Sequence, residues 1–134
     1  MDTKYNESTP NRPKGERVLD APFVVMDIPG FTAQLRQEKA WEENDRNGIT
    51  VFKSDSLTIV ISMLKPGAQV KESPETDLLV VCLLNGEAKF NTHDSEEVTL
   101  TEMQSVVFHR GILKYIEAIS EATIMLSAYE QKIK

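Results

Sequence analysis

The chain has 134 residues and a mass of 15.1 kDa, with 15 Lys and Arg against 21 Asp and Glu, a net charge of −6 and a pI near 5.0. That length supports one domain with a real core. The basic residues are scattered among acids, which argues against a nucleic-acid partner, and no apolar run approaches the roughly 20 residues of a membrane helix. The N-terminal stretch lacks the apolar core of a signal peptide. A single cysteine leaves no internal disulfide, so a reducing, cytoplasmic location is expected.

Residues 1–17 hold Asn6, Ser8, Thr9, Pro10, Asn11, Pro13 and Gly15 and little that is apolar. Such a segment cannot bury enough surface to offset its ordering entropy, so a disordered or loosely attached tail is expected, followed by one domain over residues 18–130. Val18 to Met26 reads as a short strand interrupted by Pro22. Asp27 is placed to cap a helix that tolerates Pro29 in its first turn, and Ile28, Phe31 and Leu35 share a face, predicting a helix from Asp27 to Glu38. Trp41 follows as a packing residue, and Glu42 to Gly48 reads as a loop.

From Ile49 the period changes to that of strands. Ile49–Lys53 is short. Leu57 to Leu64 alternates, with Leu57, Ile59, Ile61 and Met63 on one face. Pro66-Gly67 marks a turn, and Lys71 to Asp77 is polar. The run Leu78 to Leu84 has no polar face, which predicts a strand covered on both sides, with Cys82 as a buried, inert thiol. Asn85-Gly86 is the strongest local signal for a two-residue type I′ hairpin, leading into an arm over Glu87–Asn91. Further strands are expected at Glu97–Leu100, Ser105–His109, Leu113–Ala118 and Ala122–Tyr129, with a turn at Arg110-Gly111. About eight strands at this spacing predict an all-β sandwich or barrel.

At Pro66-Gly67, Asn85-Gly86 and Arg110-Gly111 the chain resembles the cupin superfamily, whose members are double-stranded β-helix (jelly-roll) barrels. The first cupin motif, G-x5-H-x-H-x3,4-E-x6-G, fits in spacing when anchored on Gly67 and Gly86. Its histidine positions fall on Ser73 and Glu75 and its glutamate position on Leu79. The second motif, G-x5-P-x-G-x2-H-x3-N, anchored on Gly111, puts Met103 at its first glycine, His109 at its proline, Lys114 at its histidine and Ala118 at its asparagine. The resemblance covers Trp41 to Tyr129. It implies an all-β jelly-roll barrel, with a short N-terminal helix packed outside it. The order of elements is similar to that of small uncharacterised single-domain cupins.

The same resemblance implies a metal held inside the barrel, but the aligned residues are Ser73, Glu75, Leu79 and Lys114. One carboxylate beside an ammonium is a poor donor set for a first-row metal, so no metal and no cofactor are expected. His93 reads as a solvated turn residue and His109 as a strand-end packing residue. The frame places Glu75 and Lys114 across the barrel mouth from each other, above a floor of Leu79, Val81, Leu83, Phe108, Ile116 and Met125, where a small molecule would bind. The competing reading puts Glu75 in a surface loop and lets Lys114 reach water. Some barrels of this fold isomerise or epimerise sugars without a metal, which makes Glu75 a candidate base and Lys114 or Tyr115 a candidate acid, with His109 nearby. Tyr115 follows Lys114 directly in a strand, so the two are expected on opposite faces. A homodimer is expected, because Val18 to Met26 offers an apolar strand with no hairpin partner.

Overall fold

The computed structural model describes residues 3–10, 12–71 and 76–131. Its elements follow in chain order: β1 (Lys4–Asn6), β2 (Arg17–Asp20), α1 (Ile28–Gln37), α2 (Lys39–Glu43), β3 (Arg46–Lys53), β4 (Leu57–Leu64) and β5 (Gln69–Val70). Then come β6 (Leu78–Asn85), β7 (Ala88–Thr92), β8 (Glu97–Leu100), β9 (Ser105–His109), β10 (Leu113–Ala118) and β11 (Ala122–Tyr129). Two antiparallel sheets face one another, a five-stranded one in the order β3-β4-β11-β6-β9 and a four-stranded one in the order β5-β10-β7-β8. This is a jelly-roll β-barrel.

Period-two alternation decides which residues meet inside. Leu79, Val81 and Leu83 of β6 point inward and meet Ala88 and Phe90 of β7, Leu113 and Ile116 of β10 and Ile124 of β11 in one buried cluster. Phe90 and Phe108 stack across it with centroids 5.9 Å apart. The opposite face of β3 and β4 carries Ile49, Val51, Ile61 and Met63, which pack under α1 and α2 with Leu35 and Trp41. Asp27 caps α1 by accepting a hydrogen bond from Gly30 N at 3.1 Å, and proline sits in the first turn, as its sequence predicts. The Lys65 ammonium lies 5.0 Å from the Trp41 ring centroid.

Four local expectations are corrected. First, Asn85-Gly86 does not join a hairpin. β6 pairs with β11 and β9, β7 pairs with β10 and β8, and the dipeptide is a corner where the chain crosses from one sheet to the other. Gly86 has φ +86° but Asn85 is not left-handed, so the turn is not type I′. Second, the outer face of the Leu78–Leu84 run is not covered. Val80 is 37% exposed and Cys82 only half-buried, because α1 lies over β3 and β4 and does not extend across β6. Third, the expected loop over Glu42 to Gly48 is split between the end of α2 and the start of β3. There Arg46, Asn47 and Gly48 pair with Leu64, Met63 and Ser62, and pairing overrides weak strand propensity.

Fourth, the N-terminal segment is docked on the body. β1 pairs with β2, and of the expected Val18 to Met26 strand only residues 18–20 lie in a sheet, with a partner. The Arg12 guanidinium forms a fork to Glu38, with Nη2–Oε1 at 2.8 Å and Nε–Oε2 at 2.9 Å, and also donates to Gly48 O at 2.9 Å. Asn47 and Gln34 donate to the same carboxylate. Burial acting alone would raise the Glu38 pKa. The hydrogen bonds from Arg12, Asn47 and Gln34, with the Arg12 charge, outweigh it and hold the carboxyl below its ordinary value. Composition registers the lack of apolar surface in this segment but not a guanidinium that finds a carboxylate.

Candidate functional site

The jelly-roll winding sends alternate connections to the same end of the barrel. Lys71 and Thr76, from the described part of the connection after β5, meet there with the connections after β7 and β9 and line a mouth. His93, directly after β7, donates its backbone N–H to Ile112 O at 3.0 Å, which ties the second of these turns to the third. Gly111, at φ +79°, lets the third turn reverse. In β10 the register against β7 shifts, with Leu113 opposite Thr92 and Tyr115 opposite Asn91, so Lys114 is the extra residue of a bulge. Leu113 and Ile116 stay inward on either side of it, while Lys114 stands exposed at the rim.

Within this mouth lies a cavity of about 370 Å³. Its floor is Leu79, Phe108 and Leu113, all buried, with the buried Thr76 at one wall. Its rim carries Lys71, His93, His109, Arg110 and Lys114. Arg110 Nη1 meets Asp77 Oδ1 at 3.3 Å, and Asp77 Oδ2 accepts from Gln131 N at 2.7 Å, which fixes that guanidinium beside the opening. Among the described residues neither Lys71 nor Lys114 forms an ion pair. A larger groove, about 790 Å³, runs outside the barrel between the N-terminal segment and α1. Its Glu38 already accepts hydrogen bonds from Arg12 and Gln34, so it offers less free chemistry than the mouth.

The residues singled out in the sequence are distributed as follows. Leu79, Phe108 and Lys114 line the cavity. Val81, Leu83 and Ile116 lie beneath it, fully buried and packed on one another's neighbours, so the lower barrel is filled by side chains. Met125 is elsewhere: it faces outward from β11 into the cluster under α1, because the inward position of that strand is Ile124. Ser73 and Glu75 lie outside the described residues. Tyr115 is half-buried on the far side of the bulge from the floor and is absent from the cavity lining. The sequence places His109 near Lys114 but leaves His93 as a solvated turn residue, so the convergence of the two was missed. The signal was available in the alternation of connections, since residues after every second strand share one end of a jelly roll.

A metal at the positions implied by the cupin motifs does not suit the donors the structure describes. At the glutamate position Leu79 presents hydrocarbon to the cavity floor, and at the second-motif histidine position Lys114 presents a cation. Among the described residues no three His, Cys, Asp or Glu side chains form a metal-binding group.

As a sequence the chain matches no protein-family model and no curated protein. As a structure it is similar to many solved chains. A Streptococcus pyogenes protein of unknown function superposes with a TM-score of 0.65 at 18% identity, over 86% of this chain and 93% of that one. A cupin superfamily protein from Desulfitobacterium hafniense gives 0.61 at 16% identity, over 66% and 80%. The cupin domain of an XRE-family transcriptional regulator from Enterobacter cloacae gives 0.58 at 20% identity, over 66% and 100%. The two-sheet barrel with an open mouth is therefore of a known class, the double-stranded β-helix. Within that class the fold is the cupin fold, as the glycine frame implies.

Proposed function

We propose that the protein binds a small molecule in the mouth of its barrel and does so without a metal. The observation that carries this reading is the pairing of a closed apolar floor (Leu79, Phe108, Leu113) with a rim of polar and charged side chains, the usual form of a small-molecule site. Its volume lies within the range of roughly 300–1,000 Å³ that such sites occupy. The absence of a metal is argued from donor chemistry: a leucine and an ammonium stand where ligands would be needed. Native mass spectrometry of protein purified without added salts tests both parts. A bound organic mass with metal well below one atom per chain is expected. Stoichiometric iron, zinc, manganese or nickel retained after dialysis refutes the metal-free reading.

A second reading, a metal-independent isomerase or epimerase with Glu75 and Lys114 as acid–base groups, is favoured by one observation. Lys114 shares its cavity with the imidazoles of His109 and His93, side chains of the kind used as general acids and bases. Turnover of a candidate sugar substrate abolished by Glu75→Gln and retained in Lys53→Gln is the expected pattern if this reading holds. We also propose a homodimer working in the cytoplasm. The dimer is supported by Phe23 and Val25, 81% and 80% exposed on the stretch between β2 and α1, and the location only by the lone cysteine.

A further inference from the structure

Among the described residues, the charge lining the mouth is opposite in sign to that of the molecule. The chain carries a net −6, yet both of its two histidines and three of its cations, Lys71, Arg110 and Lys114, surround one cavity. No Asp or Glu occurs among the described lining residues. Arg110 is engaged by Asp77, and the ammonium groups of Lys71, directly after β5, and Lys114, at the bulge of β10, make up the rest of the cationic rim. Beneath them the surface is hydrocarbon and aromatic.

Such a cavity discriminates by charge at its opening and by shape at its base. An anionic oxygen at the rim meets ammonium and imidazole N–H donors, and the apolar body behind it displaces water from Leu79, Phe108 and Leu113. A cation would meet repulsion, and a neutral polar molecule would gain only the lower part. We propose that the ligand is a small organic anion, a carboxylate or phosphate ester on a compact apolar body, with Lys71 and Lys114 as its charge-recognising residues. This rests on the reading of the mouth as the binding site and names the chemical class that site takes. The bulge at Lys114 supports it, because the extra residue lifts one side chain to the rim while Leu113 and Ile116 remain inward.

The test uses the full chain, isotopically labelled, titrated with phenylacetate, phenyl phosphate and the neutral isostere phenylacetamide, and followed by amide NMR shifts. Saturable shifts at Leu79, Phe108 and Lys114 are expected. At least one anion should bind about ten-fold more tightly than the amide, the factor expected when two partly exposed charges each contribute a few-fold. In Lys71→Gln/Lys114→Gln that preference should fall to within about two-fold while amide binding stays the same, and Lys53→Gln should change neither. Equal affinity for the amide and both anions overturns the anion proposal and leaves the mouth as the binding site. Shifts confined to another surface, or none up to about 10 mM of any probe, overturn both. Loss of amide binding along with anion binding in the double variant also rejects it, since the lysines would then be shaping the cavity.

Discussion

Three glycines with nearly the same backbone conformation provide an internal control on the crossing between the sheets. Gly67, Gly86 and Gly111 have φ of +87°, +86° and +79°. A Cβ added to Gly67 or Gly111 meets nothing within 4 Å, so alanine there faces only the left-handed backbone. That conformation costs about 1–2 kcal/mol, and the stiffer unfolded chain returns about 0.4–1, so each variant should lose about 0.5–1 kcal/mol. At Gly86 the added carbon would collide with the carbonyl oxygen of Glu121 and lie 2.8 Å from the Cα of Ala122. Those atoms begin β11, which is held by both β4 and β6 and has no free side to retreat to. Forced repacking against fixed backbone adds about 2–3 kcal/mol, giving about 2.5–4 for Gly86→Ala. Urea denaturation of all three variants under one set of conditions measures the difference, and a failure of Gly86→Ala to fold agrees with it. If Gly86→Ala falls within about 0.5 kcal/mol of the other two, the close approach at the sheet crossing is wrong.

The clasp on the N-terminal segment should also be measurable. Glu38→Gln leaves the Arg12 guanidinium without its charge partner, and as both side chains are less than one quarter exposed, a loss of about 2–3 kcal/mol is expected by urea denaturation. Because the folded carboxyl titrates below its ordinary value of 4.5, the unfolded chain binds its proton first as the pH falls. The contribution is therefore present above pH 4.5 and disappears as the pH drops through the folded pKa, and the variant should show a shallower acid loss of stability in that window. Met125→Ala should lower stability by about 2–3 kcal/mol while leaving ligand affinity unchanged by calorimetry, since it packs under α1 and not in the mouth. Light scattering should return a mass of two chains, falling toward one in Phe23→Ser; a wild-type mass of 15.1 kDa rejects the dimer.

What could be read beforehand was what depends on neighbours in sequence. Asp27 and its helix were legible because a cap and a 3.6-residue apolar period are local, and Leu57–Leu64 because alternation is local. The glycine frame was legible too, even where glycine is missing. Met103, at a position the second cupin motif gives to glycine, has φ +65°, a left-handed conformation that a side chain rarely adopts. Asn85-Gly86 misled because its signal is also local, whereas the partner of β6 is chosen across the whole barrel. Only by sending β7 to the other sheet do Leu79, Val81 and Leu83 face Ala88 and Phe90. For the site, Leu79 and Lys114 followed from motif spacing, which also set His109 at the motif's proline. That His93 joins His109 did not follow, because the two are 16 positions apart and converge through the sheets, and Met125 was misplaced by one step of alternation against Ile124.

The bulge in β10 has an implication for how such a protein can change. Since the additional residue takes up the register shift within one position, the strand from Tyr115 onward keeps its facing partners whatever side chain stands at 114. The floor has no such freedom, because Leu79 and Phe108 sit opposite one another in the sheet and share a cluster with residues of the facing one. On the proposed reading of the mouth as a binding site, ligand preference is thus separable from architecture. Exchanges at Lys71 and Lys114 can redirect what enters, one residue at a time, over a foundation that stays the same.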